Sequence, residues 1–328
     1  MDTADRFQLE MQLREARTAE IEARISAHNL DVQRTRSGNL RRSARGLAAQ
    51  ITPLDLLAVG DSWFEYPLTD DGLITGFNQA IIGNTGTQLQ SMGNPPPTIL
   101  SYALHGQSTT QMLSYQRQES MLRALTDPNT TQWNNGITAD GILVSAGGDD
   151  IVGDQFAIYL DYHGGGLDSA RFQGSLASVQ ASYMDLFALR DIAAAEVKID
   201  PKQIPIFGHC YDYAVPNGKP AGWPIPLAGP WLKPSLDFCG YDYAHGLTIV
   251  QAAIDGFRKL LSDLASDKIT LPGKATNNFI LIDTIGTLNR DNKRPNGWAN
   301  ELHPYTEGFA SLANKVLVAL KAHFPGRI

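Results

Sequence analysis

A serine that closes an apolar run and a histidine just before the last helical stretch are the residues here whose types and positions suit nucleophilic chemistry. Ser62 stands in "LDLLAVGDSWFEYP" (Leu54 to Pro67), where a short apolar run of the kind that forms a strand covered on both faces ends at Gly60. Gly60 is read as the point where the chain turns sharply, which places the hydroxyl at the carboxyl end of a strand, the edge where open α/β sheets hold ligands. His303 stands in "NELHPYTEGF", where Pro304 opens a terminal helix, so it falls on the loop after the last strand at the same sheet edge. A serine hydroxyl becomes a nucleophile when a neighbouring base takes its proton, and imidazole is suited to that near neutral pH. Between the two, Gly106 and the stretch "GGDD" (Gly147 to Asp150) end further apolar runs with small residues where backbone can approach a reacting group.

The elements that must position these residues are legible as an alternation. Strand-like runs occur at "LDLLAVG", at "TILSYALHG" ending at Gly106, at "GILVSAGG" ending at Gly148, at "IPIFGHCYDY" from Ile204 and at "FILIDTIG" from Phe279. Helical stretches separate them. One, capped by Ser108 or Thr109, runs from Thr110 to about Leu125; a second carries Val179, Tyr183, Leu186 and Arg190 through Ala195; a third spans Leu247 to Leu264 and a terminal one Thr306 to His323. The pattern predicts an α/β domain with a parallel sheet and helices on both faces.

Residues 1–50 read as an appended N-terminal helical arm, charged and alanine-rich, with "SGN" at Ser37 to Asn39 as a break, able to pack on the main domain or pair with another copy. Residues 51–328 read as one catalytic domain with long insertions at about 69–97, 153–168 and 214–245 on the substrate side. The last insertion carries Trp223, Trp231, Phe238 and Tyr241, too many aromatics for a bare surface connection. Trp63, Trp223, Trp231 and Tyr211 are the expected substrate contacts.

In order and spacing these stretches resemble the SGNH hydrolases, the GDSL-type esterases and lipases. The residues that carry the resemblance are "GDSW" at Gly60 to Trp63, "HGQST" around Gly106, "GGDD" at Gly147 to Asp150 and "NELH" at Asn300 to His303. The resemblance implies a three-layer α/β/α sandwich with a five-stranded, flavodoxin-like parallel sheet. It carries Ser62 over as nucleophile, His303 as general base and the backbone N–H of Gly106 as an oxyanion donor, to which the backbone N–H of Ser62 itself is expected to add a second. Two positions depart from the family. Asp149 stands where the family has an asparagine that donates to the oxyanion, and it can help only if protonated or if it points elsewhere. Asn300 stands where the family has the aspartate that orients the histidine; its oxygen can accept from the imidazole but supplies no charge. Glu301 is the alternative third member, and a Ser62–His303 dyad helped by a backbone carbonyl is another.

Composition bounds the rest. A formal net charge of −7 over 328 residues argues against a nucleic-acid partner. The N-terminus lacks a signal-type apolar core and no run approaches the roughly 18 apolar residues of a membrane span, so a cytoplasmic protein is expected. Cys210 and Cys239 are read as free thiols, and Asp61 as a residue bonding the serine turn. His105, His163, His209 and His245 show no metal-ligand spacing, and no phosphate-binding loop is present, so neither a metal nor a cofactor is expected. The expected activity is hydrolysis of acyl esters through an acyl-enzyme, on O-acetyl or other short-acyl carbohydrates or on lipid esters. A lapsed binding protein on the same fold and an acyltransferase are the alternatives.

Overall fold

Alternating apolar runs and amphipathic stretches become a five-stranded parallel sheet wrapped by helices in the computed structural model, which describes residues 3–46, 51–69, 77–162, 164–222 and 227–328. A long helix α1 (Thr3–Ala44) precedes β1 (Asp55–Gly60) and β2 (Thr98–Ser101). Two short helices follow, α2 (Thr109–Met112) and α3 (Tyr115–Thr126), then β3 (Gly141–Ser145), α4 (Gly148–Ile151) and α5 (Ser169–Glu196). After β4 (Ile206–His209) come α6 (Lys233–Phe238) and α7 (Tyr243–Ala265), and after β5 (Phe279–Ile282) comes α8 (Thr306–His323).

The strands pair in the order β2-β1-β3-β4-β5, all in parallel, which is the flavodoxin-like order. Right-handed crossovers therefore put α3, α5 and α7, which pack side by side, on one face. The β1–β2 connection lies on the other, with α8 packed against it at Leu89–Ser91, giving three layers. Leu56, Leu57, Ala58 and Val59 are wholly buried, as a strand covered on both faces requires. The chain leaves β1 outward to β2 and returns inward to β3. The crevice at the carboxyl ends of β1 and β3 is thus the switch point where such sheets hold ligands.

The helix at the N-terminus covers the free edge of β2. Arg24 donates to Ala103 O at 2.7 Å, a carbonyl that points away from β1 and would otherwise be an open edge acceptor. His28 Nε2 meets Gln132 O at 2.9 Å and Asn29 accepts from Gln132 N–H at 2.8 Å, with Ile21 and Val32 buried beside them. The expected break at Ser37 to Asn39 is absent: α1 runs through it, because one half-buried glycine costs a helix only about 1 kcal/mol. The helix expected from Thr110 to Leu125 is instead two. Ser108 closes a capping box with Gln111, but that turn stops at Leu113 and α3 restarts at Tyr115. Within the expected loop at 214–245, residues 233–238 form α6.

Candidate active site

Gly60 ends β1 without a left-handed turn. A Cβ there would lie 2.9 Å from both Ser145 Cβ and the Phe64 ring, so the glycine serves close approach of β1 to β3, not the sharp turn expected from sequence. The chain then coils once: Asp61 N–H donates to Ser145 O at 3.0 Å, and the N–H groups of Phe64 and Glu65 return to Asp61 O at 3.1 and 3.0 Å. Asp61 caps this turn, its Oδ1 accepting from Trp63 N–H at 2.9 Å and from Ser145 Oγ at 2.7 Å, while Tyr211 OH donates to Oδ2. Burial pushes the Asp61 carboxyl up to about 6, against these hydrogen bonds. Ser62, half-buried, is the residue the turn presents at the switch point.

His303 reaches it from the other side of the crevice. Its Nε2 lies 2.7 Å from Ser62 Oγ and its Nδ1 3.0 Å from Asn300 Oδ1. The same Asn300 Oδ1 accepts backbone N–H groups from Leu302 at 3.0 Å and His303 at 2.9 Å, while Nδ2 donates to Tyr66 OH at 3.1 Å. Those two backbone donors fix which end of the amide is oxygen. The imidazole must then carry its proton on Nδ1 and present a bare Nε2 to the serine hydroxyl. The Tyr66 ring stacks on His303 at 4.2 Å between centroids, and Trp231 meets it edge-on at 5.8 Å. Burial lowers the His303 pKa to about 3, with a further push from His105.

The carboxyl ends of β2 and β3 complete the crevice. Leu104 N–H donates to Gly60 O at 2.9 Å and ties the segment before Gly106 to the end of β1. Gly106 follows in a left-handed turn at φ +68°. Neither the Gly106 nor the Ser62 backbone N–H has a partner among the described residues. Asp149, in the single turn of α4, lines a small space with Ser62, Val152, Tyr211, Ala214 and Ile254. That space is about 30 Å³. Two larger grooves, about 850 and 710 Å³, run along α1 and contain neither Ser62 nor His303.

Several expected site residues take other roles. Glu301 is buried and turned away from the imidazole; its carboxylate accepts backbone N–H groups of Gly218 at 3.0 Å, Trp231 at 2.5 Å, Leu232 at 2.7 Å and Lys233 at 2.9 Å. All its acceptor capacity goes to pinning that loop, so it does not serve as the third member. Trp63 is 4% exposed, stacked on His209 and edged by Tyr211 and Phe309, and its Nε1 donates to Leu302 O at 2.9 Å. It ties the serine turn to the His303 segment and lines the small space beside Ser62, too buried for a sugar ring to stack on it. Tyr211, at φ +61°, lines the small space but spends its hydroxyl on Asp61. Trp231 is half-buried at the wall beside His303, and Trp223 and His163 lie outside the described residues. Exposed His105 pairs with Glu65 at 2.5 Å, and His245, in the first turn of α7, donates its N–H to the capping Asp242 carboxylate. His209 is buried under Trp63, its Nδ1 accepting Tyr211 N–H at 3.2 Å. Cys210 and Cys239 are both buried and free. Sequence reasoning missed Tyr66 and Ser145, whose roles depend on partners far along the chain and leave no local signal.

A parallel sheet in this order with its serine after β1 and its histidine before α8, joined across the switch point, decides the architecture. The fold is a flavodoxin-like α/β/α sandwich, with serine and histidine placed as the resemblance to the SGNH hydrolases implies. Solved structures to which this chain is similar include the lipase Lip_vut3 from a goat rumen metagenome, at 15% identity and a TM-score of 0.47, covering 81% of this chain and 97% of that one. An extracellular lipase from Streptomyces rimosus aligns at 15% identity and a TM-score of 0.42, covering 81% and 99%. Est24, a carbohydrate acetylesterase from Sinorhizobium meliloti, aligns at 12% identity and a TM-score of 0.41, covering 83% and 100%. No protein-family model and no curated protein matches the sequence. Among the described residues no helix is long and apolar enough to cross a membrane, and no group of three or more His, Cys, Asp or Glu is arranged to hold a metal.

Proposed function

We propose that this chain is a serine-dependent carboxylic ester hydrolase acting on short acyl esters, acetyl first, through an acyl-enzyme on Ser62. The observation that carries this reading is the 2.7 Å contact between Ser62 Oγ and an imidazole nitrogen whose proton is held on the opposite ring atom. As Oγ attacks the ester carbonyl, its proton passes to His303 Nε2, and the oxyanion is received by the unpartnered N–H groups of Ser62 and Gly106. Collapse breaks the bond to the alcohol oxygen, which takes the proton from Nε2. Water, deprotonated by the same nitrogen, then releases the acid and restores the serine.

The size of the space beside Ser62 supports a short acyl group. At about 30 Å³ it has room for a small group such as a methyl and none for a fatty chain. Trp231, on the wall next to His303, supports a flat or ring-bearing leaving group such as a sugar.

The test is exposure to a fluorophosphonate probe followed by peptide mapping, since phosphonylation requires an activated serine. Labelling at Ser62, lost in Ser62→Ala and reduced about 10²- to 10⁴-fold in rate in His303→Ala, is the expected result. The competing reading, a lapsed binding protein, draws on Asn300 supplying no charge to an imidazolium. Absence of labelling would establish it over the hydrolase.

A further inference from the structure

The acid that shares the small space with Ser62 has surroundings unlike those of its neighbours. Asp61 accepts from Tyr211 OH, Ser145 Oγ and Trp63 N–H, and Asp150 accepts from Thr109 N–H and Oγ1, both at 2.9 Å. Asp212, also on the small space, accepts from the N–H groups of Tyr213, Gly286 and Leu288. Each of these carboxylates therefore has donors that stabilise its ionised form. Asp149 has none: its Oδ2 is buried without a hydrogen-bond partner, in the space that Ser62 also lines.

We propose that Asp149 works as a neutral carboxylic acid whose O–H donates to the oxyanion formed at Ser62, so that loss of this proton shuts hydrolysis off on the alkaline side. The inference rests on the hydrolase reading above. Groups facing Asp149 from every side favour the proton. The charged groups acting on it are Asp61 from the serine turn and Asp150 and Asp154 from its own segment, all carboxylates. Tyr211 after β4 gives its hydroxyl to Asp61, Tyr183 of α5 gives its own to Ala146 O, and α7 brings Ile254 to the small space and Phe257 against Gly147. His303 faces the crevice as a neutral ring bound to Asn300. Burial and these three carboxylates hold the Asp149 carboxyl well above the usual range. An ionised Asp149 would repel the developing oxyanion; a protonated one donates to it as an amide would.

The two departures from the family pattern then act together. With Asn300 as its partner, His303 stays a free base down to about 3, so the base is available over the acidic range in which Asp149 keeps its proton. A carboxylate at position 300 would raise the imidazole pKa and narrow that shared window.

The experiment compares kcat/KM for acetyl ester hydrolysis against pH in the wild type and Asp149→Asn, with infrared difference spectra of the same two proteins. The wild type should lose activity about tenfold per pH unit above the Asp149 pKa. Asp149→Asn, which donates at every pH, should lose that limb and exceed the wild type in alkali. The spectra should show a protonated-carboxyl stretch in the wild type that is missing from the variant. An alkaline limb unchanged in Asp149→Asn, or a uniform loss at all pH values, would overturn the proposal. If Asp149→Asn does not fold, Asp149→Ser takes its place in the difference spectra, which cancel the bands of Asp61 and the other buried carboxyls, and absence of a band lost with Asp149 overturns the proposal. Failure of Ser62 to take the fluorophosphonate with the band present would remove the hydrolase reading; labelling without the band would remove only the role of Asp149.

Discussion

Asn300 sets the tautomer of His303. Its Oδ1 takes the imidazole Nδ1 at 3.0 Å while two backbone N–H groups hold the amide in that orientation. An asparagine in a catalytic triad costs about 10⁴ in rate when the wrong tautomer results. Here the backbone of Leu302 and His303 prevents that outcome, and only the missing charge remains as a cost.

Restoring that charge should raise both the rate and the basicity of the imidazole. Asn300→Asp places a carboxylate beside Nδ1, which favours the protonated ring, so the His303 pKa should climb from about 3 and move the acid limb of kcat/KM upward. Turnover at neutral pH should rise about 10- to 100-fold, well short of the about 10⁴ tied to a wrong tautomer. An unmoved acid limb would mean that the new carboxylate does not face the ring.

Acyl selectivity should follow the space beside Ser62. Ile254 is wholly buried and lines it, and Ile254→Val removes one methylene at a stability cost of about 1 kcal/mol. The preference for acetyl over propionyl esters should fall about tenfold, the usual value of one methylene in a tight apolar pocket. Competition between the two p-nitrophenyl esters measures it directly, and an unchanged ratio would place the acyl group elsewhere.

The damage from Glu301→Gln should appear in stability. The buried carboxylate accepts four backbone N–H groups, and the amide has one oxygen to replace two. With hydrogen bonds to a charged group contributing about 1.5–3 kcal/mol each, a loss of about 3 kcal/mol or more is expected in the denaturant midpoint. The variant's acid limb should stay where the wild type's is, since Glu301 does not touch the imidazole.

Acid should weaken the fold through His209. Burial under Trp63 lowers its pKa from 6.5 to about 3, so between those values the unfolded chain binds a proton that the native state refuses. Its contribution is therefore intact above pH 6.5 and lost as pH falls toward 3, at up to about 1.4 kcal/mol per pH unit. His209→Gln should lack that slope, so the difference in unfolding free energy between wild type and variant, measured by urea titration at several pH values, should itself change with pH over this range. A parallel pair of curves would count against burial of a neutral ring.

By itself the sequence determined what local dihedral preference and burial pattern can encode. The five apolar runs, Ser62 after the first of them and a terminal helix at Thr306–His323 follow from periodicity and turn chemistry over a few residues. The tertiary structure decided direction and partnership. Asn300 and Glu301 are neighbours in sequence and both were candidates to orient His303. Glu301 was claimed by N–H groups of a loop about seventy residues away, and Asn300 was left to the ring. Trp63 reads as a substrate contact beside the serine, yet Leu302 O and the His209 ring, far along the chain, bury it. Gly60 looks like a turn glycine until Ser145 of β3 comes within reach of its missing Cβ. The protonation of Asp149 belongs to the same class, because it depends on which neighbouring carboxylates found donors and which one did not. Hydrogen-bond partners and desolvation arise from residues brought together only when the chain closes, and a short window of sequence carries no record of them.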